Sequence, residues 1–196
     1  MHNAVAKLIS IQQEIQKKSS KTKIIAVCKK FPIDEIMPLI NHGQKDFGEN
    51  KIQEAIQKWS SIKKDLIDIN LHMIGKIQSN KVKFAVPLFD FIHSLDSLKL
   101  AEKISNEQKK YKKDIKIFIQ VNIGNELQKS GINPNDVDYF KNKCVNELNL
   151  NIVGLMCLPP KNKEASIYFD EMNNLLKKLN LKELSMGMSN DYLEAI

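Results

Sequence analysis

The chain has 196 residues, 42% of them hydrophobic and 27% charged, and 30 Lys and Arg against 23 Asp and Glu give a formal charge of +7. That suits one domain with a sizeable core and leaves little room for a second. No run approaches the ~18 uninterrupted apolar residues that a spanning helix needs, so a membrane segment is excluded.

The basic excess is mostly lysine, in pairs such as Lys109-Lys110 and Lys177-Lys178 near the ends of predicted helices, where positive charge complements the helix dipole. With one Trp and no aromatic–basic platform, nucleic acid is not an expected partner. Residues 1–20 are polar and helical in pattern, with no apolar signal-peptide core. Cys28, Cys144 and Cys157 show no metal-ligand spacing, so no metal and a reducing cytoplasmic setting are expected.

In chain order, an N-terminal helix comes first, with Val5, Leu8, Ile9 and Ile15 on one face. An apolar run at Lys23–Cys28 predicts a strand buried on both faces, and a shorter one follows at Lys45–Gly48. Similar runs lie at Leu71–Gly75, Asp90–Leu95, Lys116–Ile123, Asn151–Leu158 and Leu184–Met188. Between them, a helix at Ile33–His42 ends at Gly43, with Pro38 expected to distort its first turns. Ile52, Ile56 and Trp59 mark a helix after Asn50, and Asp96 or Ser97 opens one carrying Leu100, Ala101 and Ile104. Asn133-Pro134 begins another, striped by Val137, Phe140, Cys144 and Leu148. The clearest stripe is Ala165, Phe169, Met172, Leu175, Leu176 and Leu179. Seven strands alternating with helices predict a parallel α/β sheet, either a barrel or doubly wound. A barrel needs eight strands, and the sequence reaches Ile196 where an eighth unit should begin.

In either architecture functional groups gather where strands end and helices begin. The polar residues there are Lys29 and Lys30, Glu49 and Asn50, Gln78 and Asn80, Asp96, Asn122, and Ser189 with Asn190 and Asp191. No Ser-His-Asp order, zinc spacing or Gly-rich nucleotide loop is among them. An ammonium, several amides and a hydroxyl near a helix start suit a carbonyl-bearing phosphate ligand.

Six motifs in register sharpen this: Ala26-Val27-Cys28-Lys29; Phe47-Gly48-Glu49-Asn50 with Gln53-Glu54; His72-Met73-Ile74-Gly75 with Gln78-Ser79-Asn80-Lys81; Gln120-Val121-Asn122; Lys129-Ser130-Gly131 with Gly154-Leu155-Met156; and Gly187-Met188-Ser189. In order and spacing, from about residue 5 to Ile196, they resemble the YggS/PROSC family of pyridoxal phosphate homeostasis proteins. The resemblance implies a (β/α)8 TIM-like barrel of PLP fold type III with an extra N-terminal helix, like the N-terminal domain of alanine racemase. It implies one such domain over residues 1–196, incomplete at its C-terminus because the family's eighth strand and its Arg-Ile-Gly-x-x-x-Phe-Gly segment have no counterpart. The first and seventh strands should then flank a gap of about two strand spacings, ~10 Å.

The resemblance also assigns roles. Lys29 matches the lysine that carries pyridoxal 5′-phosphate as a Schiff base, and partial burial at a barrel mouth would favour the neutral amine this requires. Lys30 is expected to point away by strand alternation. Ser189, beside Met188, corresponds to the family's phosphate-binding serine, placed at a predicted helix start. Asn50 matches a pocket residue that can donate to the cofactor, its alternative role being a helix cap. Lys129 matches a basic residue at the pocket entrance, His72 is expected to line the barrel interior as part of the cofactor site, and Cys28 is expected to be a core side chain. The family has a second basic residue at the position of Phe31 and a leucine at that of Ile77. The function implied is carriage of pyridoxal phosphate by a monomer without substantial catalysis, with amino acids or apo-enzymes as acceptors. The alternatives are a residual amino-acid racemase and a degenerate barrel that binds no cofactor.

Overall fold

The computed structural model describes residues 2–66, 68–126, 128–161 and 163–196. Seven strands form one sheet whose order is the order of the sequence: β1 (Ala26–Val27), β2 (Asp46–Glu49), β3 (Asn70–Met73), β4 (Phe91–Leu95), β5 (Lys116–Val121), β6 (Asn151–Cys157) and β7 (Glu183–Ser185). Every neighbouring pair is parallel, as short-linked βα units require. The helices are α1 (Asn3–Gln16), α2 (Ile33–Asn41), α3 (Ile52–Trp59), α4 (Val82–Leu88), α5 (Leu98–Tyr111), α6 (Val137–Asn142), α7 (Ala165–Lys178) and α8 (Tyr192–Ala195).

Curvature follows from one distance. Strands β4 and β7 are three places apart, roughly 14 Å on a flat sheet. Yet His93 Nδ1 of β4 lies 2.7 Å from Ser185 Oγ of β7. The sheet therefore curls into a barrel wall around a polar interior. Among the described residues β1 and β7 do not pair, so the wall is open between them.

The main core lies outside the wall, under the helices. Phe47 of β2 meets Trp59 of α3 with ring centroids 5.3 Å apart, and both are fully buried with Ala55, Leu71, Ile92, Ile104, Ile117, Ile119 and Met172. Helix starts are capped as their residues suggest: Ser97 Oγ accepts from Leu100 N–H, and Asn133 Oδ1 accepts from Asn135 N–H before Pro134. After Asn142 the chain slackens into a π-type turn, Lys143–Glu147.

Three expectations change. The end strands are shorter than their apolar runs, two residues in β1 and three in β7, because each has a partner on one side only. For the same reason β1 is not buried on both faces: Ala26 is half-buried and Val27 is exposed. Pro38 does not disturb α2, since it removes only the bond to the carbonyl of Asp34, an exposed residue that water can satisfy.

Candidate functional site

The ends of β1 and β2 meet beside α3. Cys28 N–H donates to Gly48 O at 2.9 Å, so pairing runs one residue beyond β1. The chain then turns, with Phe31 N–H donating to Cys28 O at 3.2 Å and Lys30 in the left-handed region at φ +67°. Lys29 occupies the outer corner of this turn. It is exposed, not partly buried, because among the described residues no strand flanks β1 on its open side. Lys30 diverges from Lys29 through its left-handed backbone and not through strand alternation, which has ended by then.

The support for this turn lies behind it. Lys58, in the last turn of α3, donates to Cys28 O at 2.7 Å and to Glu49 Oε1 at 2.7 Å, and Trp59 Nε1 donates to the same carboxylate oxygen at 2.9 Å. The side chains of Glu49 and Lys58 are 0% and 9% exposed, and Glu49 Oε2 is buried without a partner. One ammonium thus ties together the residues immediately before Lys29 and Asn50. Burial pushes the Cys28 thiol up to about 12, the Glu49 charge adds to the rise, and Lys58 opposes it. That matches the core role expected of Cys28.

Asn50 does not cap α3, whose N-cap is Lys51 with no side-chain bond. Its Oδ1 is buried without a hydrogen-bond partner. An orphaned acceptor at this depth is costly unless a donor, from a ligand or an ordered water, reaches it. Gly75 fits against it, since a Cβ there would come within 2.2 Å of Asn50 O.

Beyond β7 the chain bends at Gly187, φ +80°, into a tight loop. Asp191 Oδ1 accepts from Met188 N–H at 2.5 Å, and Met188 O accepts from Tyr192 N–H at 2.9 Å. Ser189 lies at the exposed tip of this loop, two residues short of the Asp191 N-cap and so not at the helix start. Among the described residues its hydroxyl has no hydrogen-bond partner, and the exposed Met188 side chain lies beside it. A cavity of about 320 Å³ opens elsewhere on the same mouth, between the ends of β3, β5 and β6. Lys129 lines it, paired with Glu126 at 2.5 Å and donating to Pro159 O at 3.1 Å, so its ammonium is anchored at the rim.

Inside the barrel four side chains form a continuous line. Asp46 Oδ1 lies 3.0 Å from His72 Nε2, His72 Nδ1 lies 2.9 Å from His93 Nε2, and His93 Nδ1 lies 2.7 Å from Ser185 Oγ. Phe91 stacks on His72 at 4.2 Å and Phe118 on His93 at 4.3 Å. The hydrogen bond from His72 holds the Asp46 carboxyl below its usual range, followed in effect by burial, which opposes it, and the bond from Asn70. Burial, then the neighbouring His72, pushes His93 down to about 3. His72 therefore lines the interior as expected, but both its nitrogens are already engaged. Sequence reasoning did not find Lys58, His93 or Ser185: a lysine in a last helical turn reads as a dipole partner, and a histidine or serine within an apolar run gives no periodic signal.

Residues 7–196 match the family model described as the alanine racemase N-terminal domain. A protein of Pasteurella multocida named pyridoxal phosphate homeostasis protein is 34% identical over 206 residues, covering 96% of this chain and 88% of the relative. PipY of Synechococcus elongatus, solved without and with PLP, superposes with TM-scores of 0.86 and 0.84 at 32% and 33% identity, covering 94% of this chain and 90% of PipY. An alanine racemase of Clostridium difficile shares the fold alone, with a TM-score of 0.69 at 13% identity over 93% of this chain and 50% of that one.

Proposed function

Because this chain belongs to the alanine racemase N-terminal domain family, and within it to the pyridoxal phosphate homeostasis proteins, we propose that it binds pyridoxal 5′-phosphate at the open mouth of the barrel. Lys29 is the covalent anchor, Asn50 the partner beside it, Ser189 with its neighbour Met188 the phosphate end, and Lys129 a basic residue on the rim, where Glu126 pairs with it. The observation that carries this reading is Asn50 Oδ1, buried and unpartnered one residue beyond the Lys58–Glu49 tie that also holds the Lys29 turn. When bound, the cofactor would supply an aldehyde, and the Lys29 amine would be the residue that holds it.

The proposed role is carriage, with amino acids or apo-enzymes as acceptors. Carriage needs one amine, whereas racemisation needs a second acid–base group facing the cofactor. Of the histidines, His72 and His93 are already engaged in the interior line. We infer that residues 1–196 act as one domain, as a monomer and in the cytoplasm. No helix of the described residues is long and apolar enough to cross a membrane.

Incubation with pyridoxal 5′-phosphate should give a yellow absorbance band that borohydride abolishes. Lys29→Ala should lose the band and keep its unfolding midpoint, because an exposed turn residue contributes little packing. A variant that retains the borohydride-sensitive band removes Lys29 as the anchor.

A further inference from the structure

We propose that His72, His93 and Ser185 are positioning residues for the phosphate end of this site, forming with Asp46 a strut across the barrel interior that fixes β7 and the loop leading to Ser189. The inference rests on the cofactor reading above.

Strand β7 needs such a hold. It lies at the open edge and pairs on one side only, through Gly154↔Glu183, Leu155↔Leu184 and Met156↔Ser185. Ser185 is the last of these pairs, and four residues later the chain reaches Ser189. The end of a singly paired edge strand is where fraying begins. The bond from Ser185 Oγ to His93 Nδ1, 2.7 Å, comes from the facing wall and not from a neighbouring strand. His93 cannot swing away cheaply: it is buried, stacked on Phe118, and bonded through Nε2 to His72. His72 is held in turn by Phe91 and by Asp46, whose Oδ1 also accepts from Asn70 at 2.9 Å.

The two ends of the strut matter. Asp46 opens β2, the strand that runs to Asn50, and Ser185 closes β7, the strand that runs to Ser189. Along the sheet these strands are separated by β3 to β6, and the wall is open on the other side. Four side chains cross the interior and link them directly. The strut therefore sets the separation between the anchor end and the phosphate end of one ligand site. It also has a direction: an ionised Asp46 can only accept, so with neutral imidazoles His72 carries its proton on Nε2, His93 on Nε2, and Ser185 donates to His93 Nδ1.

The test compares pyridoxal 5′-phosphate with pyridoxal, which lacks the phosphate, by titrating the borohydride-sensitive band. Ser185→Ala should bind the phosphorylated aldehyde about 3- to 10-fold more weakly, the range for one lost hydrogen bond. Ser185→Thr, which keeps the hydroxyl, should restore it, and affinity for pyridoxal should be the same in all three proteins. Nitrogen-15 NMR of the wild type should show both interior imidazoles protonated on Nε2. Unchanged phosphate-dependent affinity in Ser185→Ala, or an equal loss for both aldehydes, overturns the strut as a positioning device. Wild-type protein that binds neither aldehyde overturns the cofactor reading and this inference together, whereas wild-type binding with unaffected variants overturns the inference alone.

Discussion

Acidification offers a direct measure of the barrel interior, because His93 is buried with a value pushed from 6.5 down to about 3. The unfolded chain takes up a proton on this residue near 6.5, and the folded protein does so only near 3. Stability from this source is therefore complete at neutral pH and is lost as pH falls through the window from about 6.5 to about 3. Between pH 7 and pH 5 the unfolded state gains nearly the full proton and the folded state almost none, worth about 2 kcal/mol at 1.36 kcal/mol per pH unit. Asp46, whose carboxyl is lowered, adds its loss only further down, as pH approaches the ordinary carboxylate range. Urea unfolding at pH 7 and pH 5, in wild type and in His93→Phe, measures the difference. Phenylalanine keeps the stack on Phe118 and removes the titrating nitrogen pair. The wild type should lose about 2 kcal/mol more than the variant over this interval. Equal losses in the two proteins, or an NMR titration of His93 with a midpoint above 5, would refute the buried neutral imidazole.

Two other outcomes follow from the site and the core. Ser189→Ala should weaken pyridoxal 5′-phosphate by roughly 1–3 kcal/mol, the range for a hydrogen bond to a charged group, measured by dialysis against a competing apo-enzyme. Unchanged retention would leave Ser189 without a ligand role. Cys28, Cys144 and Cys157 are buried, with thiols raised to about 12 chiefly by burial, so native protein at pH 8 should react with an aromatic disulfide reagent only as fast as it unfolds. A rapid phase in native buffer would contradict their placement.

The sequence carried most of the architecture because parallel strands covered by helices are written as uninterrupted apolar runs, and all seven runs became strands. The interior strands β4, β5 and β6 match their runs within about two residues, while β1 and β7 do not. Apolar pattern records burial, but strand length also requires a hydrogen-bonding neighbour, and the end strands have one each. Helix α4 was not singled out because Val82, Ala85, Val86 and Leu88 are all buried, which leaves its short sequence without a polar face to set a period. At the site, the motif residues Lys29, Asn50 and Ser189 were legible as polar groups at strand ends. The residues that hold them were not. Lys58 supports the Lys29 turn from a helix, and His93 reaches Ser185 92 residues away in sequence. Such partners are set by curl and register, which no local pattern states.

The supports around Lys29 also bear on what kind of site this is. An enzyme that turns over an amino acid gains from enclosing its lysine, since exclusion of water strengthens every charge interaction and protects reactive species. Here Lys29 stands exposed, and the enclosed groups are one layer behind it: Glu49 is buried, the Lys58 side chain is nearly so, and the carboxylate oxygen of Glu49 that finds no partner is buried too. A buried ion pair of this kind returns little net stability over apolar replacements, but losing either partner strands the other charge. Its contribution is to geometry. Lys58 bonds the carbonyl immediately before Lys29, so it fixes where the turn begins while leaving the amine in solvent. The rigidity of the site thus lies behind the lysine, in the Lys58–Glu49 tie and its bond to the Cys28 carbonyl.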